Sequence, residues 1–464
     1  MIELDLIFKN AIVLTIDKDF SIFEPGAVAI KGNKIIAVGI EAQILSEYEA
    51  KETIDCKGNI LMPGLVDTHT HLPMAIYRGV MDDLRLDEWL NDYIFPIEGN
   101  FSKPDSVRLG TELACAELIK SGVTCCNDMY YYETEVSETL IKVGMRGLVC
   151  RLITSFPGVD NVPVEEKFKR AELLVEKYKN HQLVTPSIAP HAPYTNSEET
   201  IKRSMEFAKK HNIMLNMHLA ETKGEVSDLI AKYGSVSGYL KKMGLYDCKL
   251  NFAHCVHLTQ DDINDFAKYN VGVAHNPESN MKLSSGAAPV TAMLKAGVNV
   301  GIGTDGNSSN NDLDMFGEMR TASFLAKIQA DSPIALTAKE IIYIVTLGGA
   351  KSIFLDDKIG SLEVGKCADL IVVDINTLHN LPRFRHNPDG LYGQLVYAAK
   401  STDVTHVMCN GKWLMRDKKL QTIEEQPLLE KVQKNANDID NFVLELKRKK
   451  KSKLNLDNSK KLEC

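Results

Sequence analysis

Hydrophobic residues follow three regimes along the chain. Near the start, Leu4 to Ile16 and Ala27 to Val38 are short runs rich in Ile and Val, the second turned by Gly32-Asn33, and they predict strands of an antiparallel β module. The pattern returns near the other end, in Ala368 to Asp374 and in Val404 to Leu414, which turns through Asn410-Gly411. Between them, from about Gly58 to Leu355, apolar runs alternate with longer amphipathic stretches. The runs are Gly147 to Ser155, Val184 to Ile188, Met214 to His218, Leu250 to His254, Gly272 to Ala274 and Val298 to Thr304, and Glu198 to Lys210 is one of the helical stretches.

Short, continuously apolar strands separated by helices imply a parallel sheet covered on both faces. With 464 residues, the chain suits a barrel of roughly 250 residues plus a companion domain. The predicted fold is therefore α/β: a (β/α)8 barrel of TIM type with a small β-sandwich domain formed from both chain ends. The corresponding division is 1–57 and 359–425 for the two parts of the β domain, 58–358 for the barrel, and 426–464 for a C-terminal helix and basic tail. An open doubly wound sheet is the alternative, but the glycine-rich phosphate loop it would carry after an early strand is not apparent.

Parallel barrels gather their chemistry at the carboxyl ends of the strands. The polar residues closing these runs are His69, His71, His191, His218 with Glu221, His254 and Asp305. Five of these are histidines, in a chain with only 12. In Val66-Asp67-Thr68-His69-Thr70-His71 the two imidazoles are two residues apart, so on an extended strand they project to one side and could share a metal. Two polar residues ending a strand is the plainer alternative. Glu221 sits where a strand gives way to a helix, beside His218 and placed to carry a proton. Asp305 closes a strongly apolar strand, where a carboxylate must be paired, metal-bound or used as a helix cap.

Three neutral imidazoles and one carboxylate suit zinc or iron(II) with an open position for water, and not the oxygen shells of magnesium or calcium. A binuclear site would need a bridging carboxylate such as a modified lysine. Val184 to Thr195 contains no lysine, so one divalent metal per subunit is expected, zinc before iron.

The net charge of -8 argues against nucleic acid as the main partner. A local exception is the basic run from Lys447 to Lys461, read as a solvated tail. Ten cysteines without regular spacing point to reduced thiols in a cytoplasmic setting. The N-terminal stretch shows no export signal or membrane span. Homo-oligomerisation stays open, because nothing in the sequence marks an interface.

The segments PGLVDTHTH, HLAET, AHCVHL and GIGTDG, in this order and spacing, resemble successive signatures of the amidohydrolase superfamily. The similarity extends through Thr346 to Asp374, where such enzymes leave the barrel for the small β domain. Within the superfamily the pattern is similar to deaminases acting on 5-methylthioadenosine and S-adenosylhomocysteine. The resemblance implies a nucleoside substrate and the ligands His69, His71, His218 and Asp305. It also implies Glu98 as the carboxylate holding ribose hydroxyls, His191 as a purine contact and Arg151 near an amino-acid tail. Glu221, His254 and Ser309 fall around the reacting purine edge, with Glu221, His254 and Asp305 the catalytic set. Asp305 would take a proton from the attacking water and Glu221 would protonate the ring nitrogen. Without the family, Glu98 could cap or pair in a loop, Arg151 could make a structural ion pair, and His191 could be a satisfied buried histidine. One departure stands out: homocysteine-binding sites can use a second arginine shortly after the first, and Leu152 to Glu166 has none. An uncharged 5'-substituted adenosine is then favoured. A guanine or other aminoheterocycle deaminase, a triazine hydrolase on the same site, and a catalytically silent scaffold are the competing readings.

Overall fold

The computed structural model describes residues 2–84 and 86–462, without the side chains of 86, 87, 90 and 450–462, so most of the basic tail lies outside the described side chains. Five strands open the chain: β1 (Ile2–Leu14), β2 (Ile22–Lys31), β3 (Lys34–Ile40), β4 (Tyr48–Asp55) and β5 (Ile60–Pro63). Eight more follow, interleaved with helices: β6 (Leu65–Thr70), β7 (Val123–Asp128), β8 (Arg146–Ile153), β9 (Val184–Pro190), β10 (Met214–Leu219), β11 (Lys249–His254), β12 (Gly272–His275) and β13 (Asn299–Ile302). The last four are β14 (Leu370–Val373), β15 (Val404–Cys409), β16 (Lys412–Arg416) and β17 (Lys419–Leu420).

Strands β6 to β13 close into a parallel barrel, and the strands of both chain ends join in a separate nine-stranded sheet. The barrel closes between its first and last strands through Ile302 opposite Asp67 and a bridge between Thr70 and Asp305. Helices on the outside start on side-chain caps that sequence alone marks well. Ser197, Thr222 and Thr259 each accept a backbone N–H from the first turn of the helix they precede. Strand β7 is missing from the predicted runs because VTCCND carries little of the branched apolar signal, although every residue in it is buried.

In the small sheet the order is β17-β16-β15-β14-β5-β1-β2-β3, with β4 parallel to β1. Strand β5 pairs with both β1 and β14, so this sheet runs past residue 57 to Pro63 and joins the two ends of the chain. Both hairpins turn at the glycines read from the sequence. Asn410 (φ 51°) and Gly411 (φ 74°) are left-handed, as a two-residue hairpin requires. A Cβ on Gly411 would lie 2.2 Å from the Gly32 carbonyl oxygen, so the two turns meet at a distance that excludes a side chain. Asn33 Nδ2 also donates to Asn410 Oδ1 at 3.0 Å.

Barrel and sheet are pinned together by a buried ion pair. Arg146, at the start of β8, donates from Nε and Nη2 to the two oxygens of Asp369 at 2.8 and 3.1 Å, and the Asn410 amide adds a bond of 2.7 Å. The helix Glu425–Leu462 buries Leu428, Ile439 and Val443, and its Phe442 packs edge-on against Phe101, at the end of the helix Phe95–Phe101. No helix among the described residues is long and apolar enough to cross a membrane.

Removing one partner of a buried pair strands the other charge. Arg146→Met should cost about 3–5 kcal/mol in urea unfolding, and Arg146→Met with Asp369→Leu should recover most of it. A single variant as stable as the parent would show that the pair does not hold the two domains together.

Candidate active site

Alternation along β6 puts Asp67 and His69 on one face, and His71 follows directly on the strand's end with φ -124° and ψ 72°. The rings of His69 and His71 stand edge-on with centroids 4.8 Å apart. His218, on β10, brings its ring within 4.9 Å of His69. Asp305, just beyond β13, is placed by its amide, which donates to the His69 carbonyl at 2.9 Å. Its Oδ1 lies 3.4 Å from His69 Nε2 and 3.3 Å from His71 Nε2, and His218 Nε2 lies 3.2 Å from His69 Nε2.

The donor atoms of His69, His71 and Asp305 lie within 4.8 Å of one another, as do those of His69, His218 and His254, so His69 joins two groups that could hold a cation. His71 Nδ1 is committed to the Met129 carbonyl, which leaves the Nε2 lone pair turned inward. Burial, reinforced by the neighbouring imidazoles, holds His218 well below its ordinary pKa, and burial takes His69 down to about 4. Both stay neutral, as ligands must. Burial opposes ionisation of Asp305, but its close contacts with His69 and His71 outweigh it and keep the carboxyl well below the usual range. Three imidazoles and a carboxylate make a donor set of the kind that suits zinc or iron(II). Asp305 caps no helix; Asp314 caps Met315–Gln329 instead.

The same cavity is lined by His71, His191, His218, Glu221, His254, Asp305, Glu98 and Ser309. His254 closes β11 and points Nε2 toward Glu221 Oε2, 3.9 Å away. His254 (φ 73°) and Asp305 (φ 61°) both hold left-handed backbone, an arrangement that costs about 1–3 kcal/mol each and concentrates at functional sites. Glu98 is buried on the wall formed by the helix Phe95–Phe101, where its Oε1 accepts from the Tyr130 hydroxyl at 2.6 Å. Burial raises its pKa against that hydrogen bond. His191 Nδ1 lies 3.2 Å from Thr195 Oγ1.

Residues 60–414 match the amidohydrolase family. The chain belongs to that family. It is 41% identical to a 5-methylthioadenosine/S-adenosylhomocysteine deaminase of Syntrophobacter fumaroxidans, over 94% of this chain and 98% of that protein. A 5'-deoxyadenosine deaminase of Methanosarcina mazei is 38% identical over 94% of this chain and 98% of its own length. The crystal structure of an adenosine deaminase from Xanthomonas campestris with bound zinc superposes with a TM-score of 0.91 at 37% identity, covering 94% of this chain and 99% of that one. This amidohydrolase is thus a metal-dependent hydrolase.

One residue of the expected set stands apart. Arg151 does not line the cavity of this amidohydrolase. It is fully buried, with Nη1 donating to Glu133 at 2.8 Å and Nη2 to Asp160 at 2.6 Å. Two carboxylates already pair with it, the arrangement of the plainer alternative, a structural ion pair. Sequence reasoning also passed over Trp89, Tyr130, Tyr131 and Tyr194, which line the cavity from loops and helix ends without any periodic signal. Another omission, Glu225, accepts the amides of Ala220 and Glu221 at 2.9 and 3.1 Å and so holds the backbone of Glu221.

Burial pushes Glu225 up to about 7 from an ordinary value of 4.5. In that interval the folded protein keeps a proton that the unfolded chain has released. Stability should therefore fall as pH rises from 4.5 to 7, by up to about 1.4 kcal/mol per pH unit from this group. Urea unfolding of the parent and Glu225→Gln across this range should show the steeper fall in the parent; parallel profiles would exclude the shift.

Proposed function

We propose that this amidohydrolase hydrolytically deaminates the adenine ring of 5'-substituted adenosines, with one zinc ion held by His69, His71, His218 and Asp305. The products are ammonia and the inosine analogue. The observation that carries the reading is the cavity itself, whose lining combines His71, His218, Asp305, Glu221 and His254 with the buried acceptor Glu98. The likeness to deaminases of 5-methylthioadenosine, S-adenosylhomocysteine and 5'-deoxyadenosine supports the same substrate class.

Zinc bound by these residues acts as a Lewis acid and makes water nucleophilic near neutral pH. Asp305 accepts the proton that the attacking water gives up, and Glu221 donates a proton to the purine N1 as oxygen bonds to C6. His254, across from Glu221, steadies the developing charge on that oxygen. Collapse breaks the C6–N6 bond: Asp305 hands its proton to the departing amine, and the hydroxyl proton on C6 passes to Glu221. Glu98 accepts from the ribose hydroxyls, and His191 contacts the purine.

The 5' tail favoured is uncharged. Arg151 is already ion-paired with Glu133 and Asp160, and Trp89, Leu152, Tyr194 and Leu283 add apolar surface to the cavity. Among the described residues, no guanidinium lines the cavity to meet a homocysteine carboxylate. A cytoplasmic setting agrees with nine cysteines that are unbridged among the described residues.

Zinc-loaded protein should release ammonia from 5-methylthioadenosine and 5'-deoxyadenosine with kcat/KM at least about tenfold above that for S-adenosylhomocysteine, the usual worth of a charged contact. Removal of the metal by a chelator should abolish turnover. Glu98→Gln should lower kcat/KM about 10- to 100-fold through the ribose contact. Turnover confined to guanine or a chlorotriazine would refute the nucleoside assignment, and S-adenosylhomocysteine as the preferred substrate would refute the uncharged tail.

A further inference from the structure

Asp305 divides its two oxygens between two tasks. Oδ1 faces His69 and His71, while Oδ2 accepts from Ser279 Oγ at 2.5 Å and lies 3.1 Å from Ser309 Oγ. The Ser309 hydroxyl also lies 3.0 Å from the Gly306 carbonyl, and one hydroxyl hydrogen serves one acceptor at a time. Ser279 is therefore the committed donor. The next residue, Asn280, presents Oδ1 to His254 Nδ1 at 2.9 Å. An amide oxygen only accepts, so the imidazole carries its hydrogen on Nδ1 and turns Nε2 to the cavity.

Both contacts come from consecutive, fully buried residues of one short helix, Pro277–Lys282. That helix is itself fixed to the loop bearing Asp305. Glu318 accepts the Glu278 amide at 3.3 Å and Asn310 Nδ2 at 2.6 Å, and Asn310 Nδ2 also donates to the Thr304 carbonyl at 2.8 Å. Neither Ser279 nor Asn280 lines the cavity, so each acts through the side chain it holds.

We infer that Ser279 and Asn280 are positioning residues for the deamination step, Ser279 aiming the proton-accepting oxygen of Asp305 and Asn280 fixing the ring of His254. The inference rests on the roles given to those two side chains above. Partners of this kind typically contribute 10- to 100-fold, in metal affinity or in activity. Here Oδ1, the oxygen facing the histidines, is not the one Ser279 touches, so the effect should fall on kcat.

The test is steady-state deamination of 5-methylthioadenosine by zinc-loaded protein, together with zinc affinity by competition with a chromogenic chelator. Ser279→Ala should lower kcat about 10- to 100-fold while KM and zinc affinity stay within about threefold, and Ser279→Thr, which keeps the hydroxyl, should regain most of kcat. Wild-type kcat in Ser279→Ala, or a loss matched by an equal loss of zinc affinity, would overturn the inference. Should Ser279→Ala not fold, the isosteric Asn280→Asp must lower kcat about tenfold or more at unchanged zinc affinity, and an unchanged kcat would be equally decisive. An inactive wild type would refute the functional reading and the inference with it, a result distinct from an active wild type indifferent to Ser279.

Discussion

Imidazole lone pairs and a carboxylate oxygen, brought face to face in a site shielded from water, repel one another. A shared cation is what offsets that repulsion, and the top of this barrel is arranged around the point where it would sit. His69 Nε2 lies 3.2 Å from His218 Nε2, and Asp305 Oδ1 lies about as close to two of the imidazoles. Desolvation serves the site here: it keeps His69 and His218 neutral and strengthens their attraction for a positive charge.

Holding that geometry requires a rigid frame, and the frame is polar as well as apolar. Beneath the histidines, Asn127 donates to the Thr68 carbonyl at 2.9 Å and lies 3.3 Å from Asn216, which in turn donates to Ser187 at 3.1 Å. Asp67 accepts the amides of His69 and Thr304 and the Thr304 hydroxyl, so the first and last strands are clamped immediately below the ligands. The strained backbone at His254 and Asp305 is tolerable because these bonds determine it from several directions at once.

The part of the cavity wall that carries Glu98 is built differently. Glu98 rides on the helix Phe95–Phe101, which is braced through Phe101 by the C-terminal helix and tied through Tyr130 and Ser102 to the barrel. The groups proposed to carry the chemistry thus sit on strand ends, while those proposed to select the substrate sit on helices and loops, which vary most readily.

Much of this was legible in the sequence because it is local. Two-residue spacing placed His69 and His71 on one side of a strand, the apolar runs marked most barrel strands, and the polar residues closing them are those that line the cavity. Glycine turns at Gly32 and Gly411 announced the hairpins of the small sheet. Strand β7 stayed hidden because a barrel interior floored by asparagine and cysteine lacks the apolar pattern that marks a strand. The surroundings of Arg151 were hidden for a related reason: charge and position are visible in a sequence, but its pairing with Glu133 and Asp160 is a contact between separate segments. Ser279 and Asn280 give no local signal at all. Which serine reaches Asp305, and which amide holds His254, is decided only when barrel closure brings β11, β13 and the helix between them to within hydrogen-bonding distance. Periodicity is a property of neighbouring residues and can be read along the chain; the convergence of strand ends far apart in sequence exists only in three dimensions.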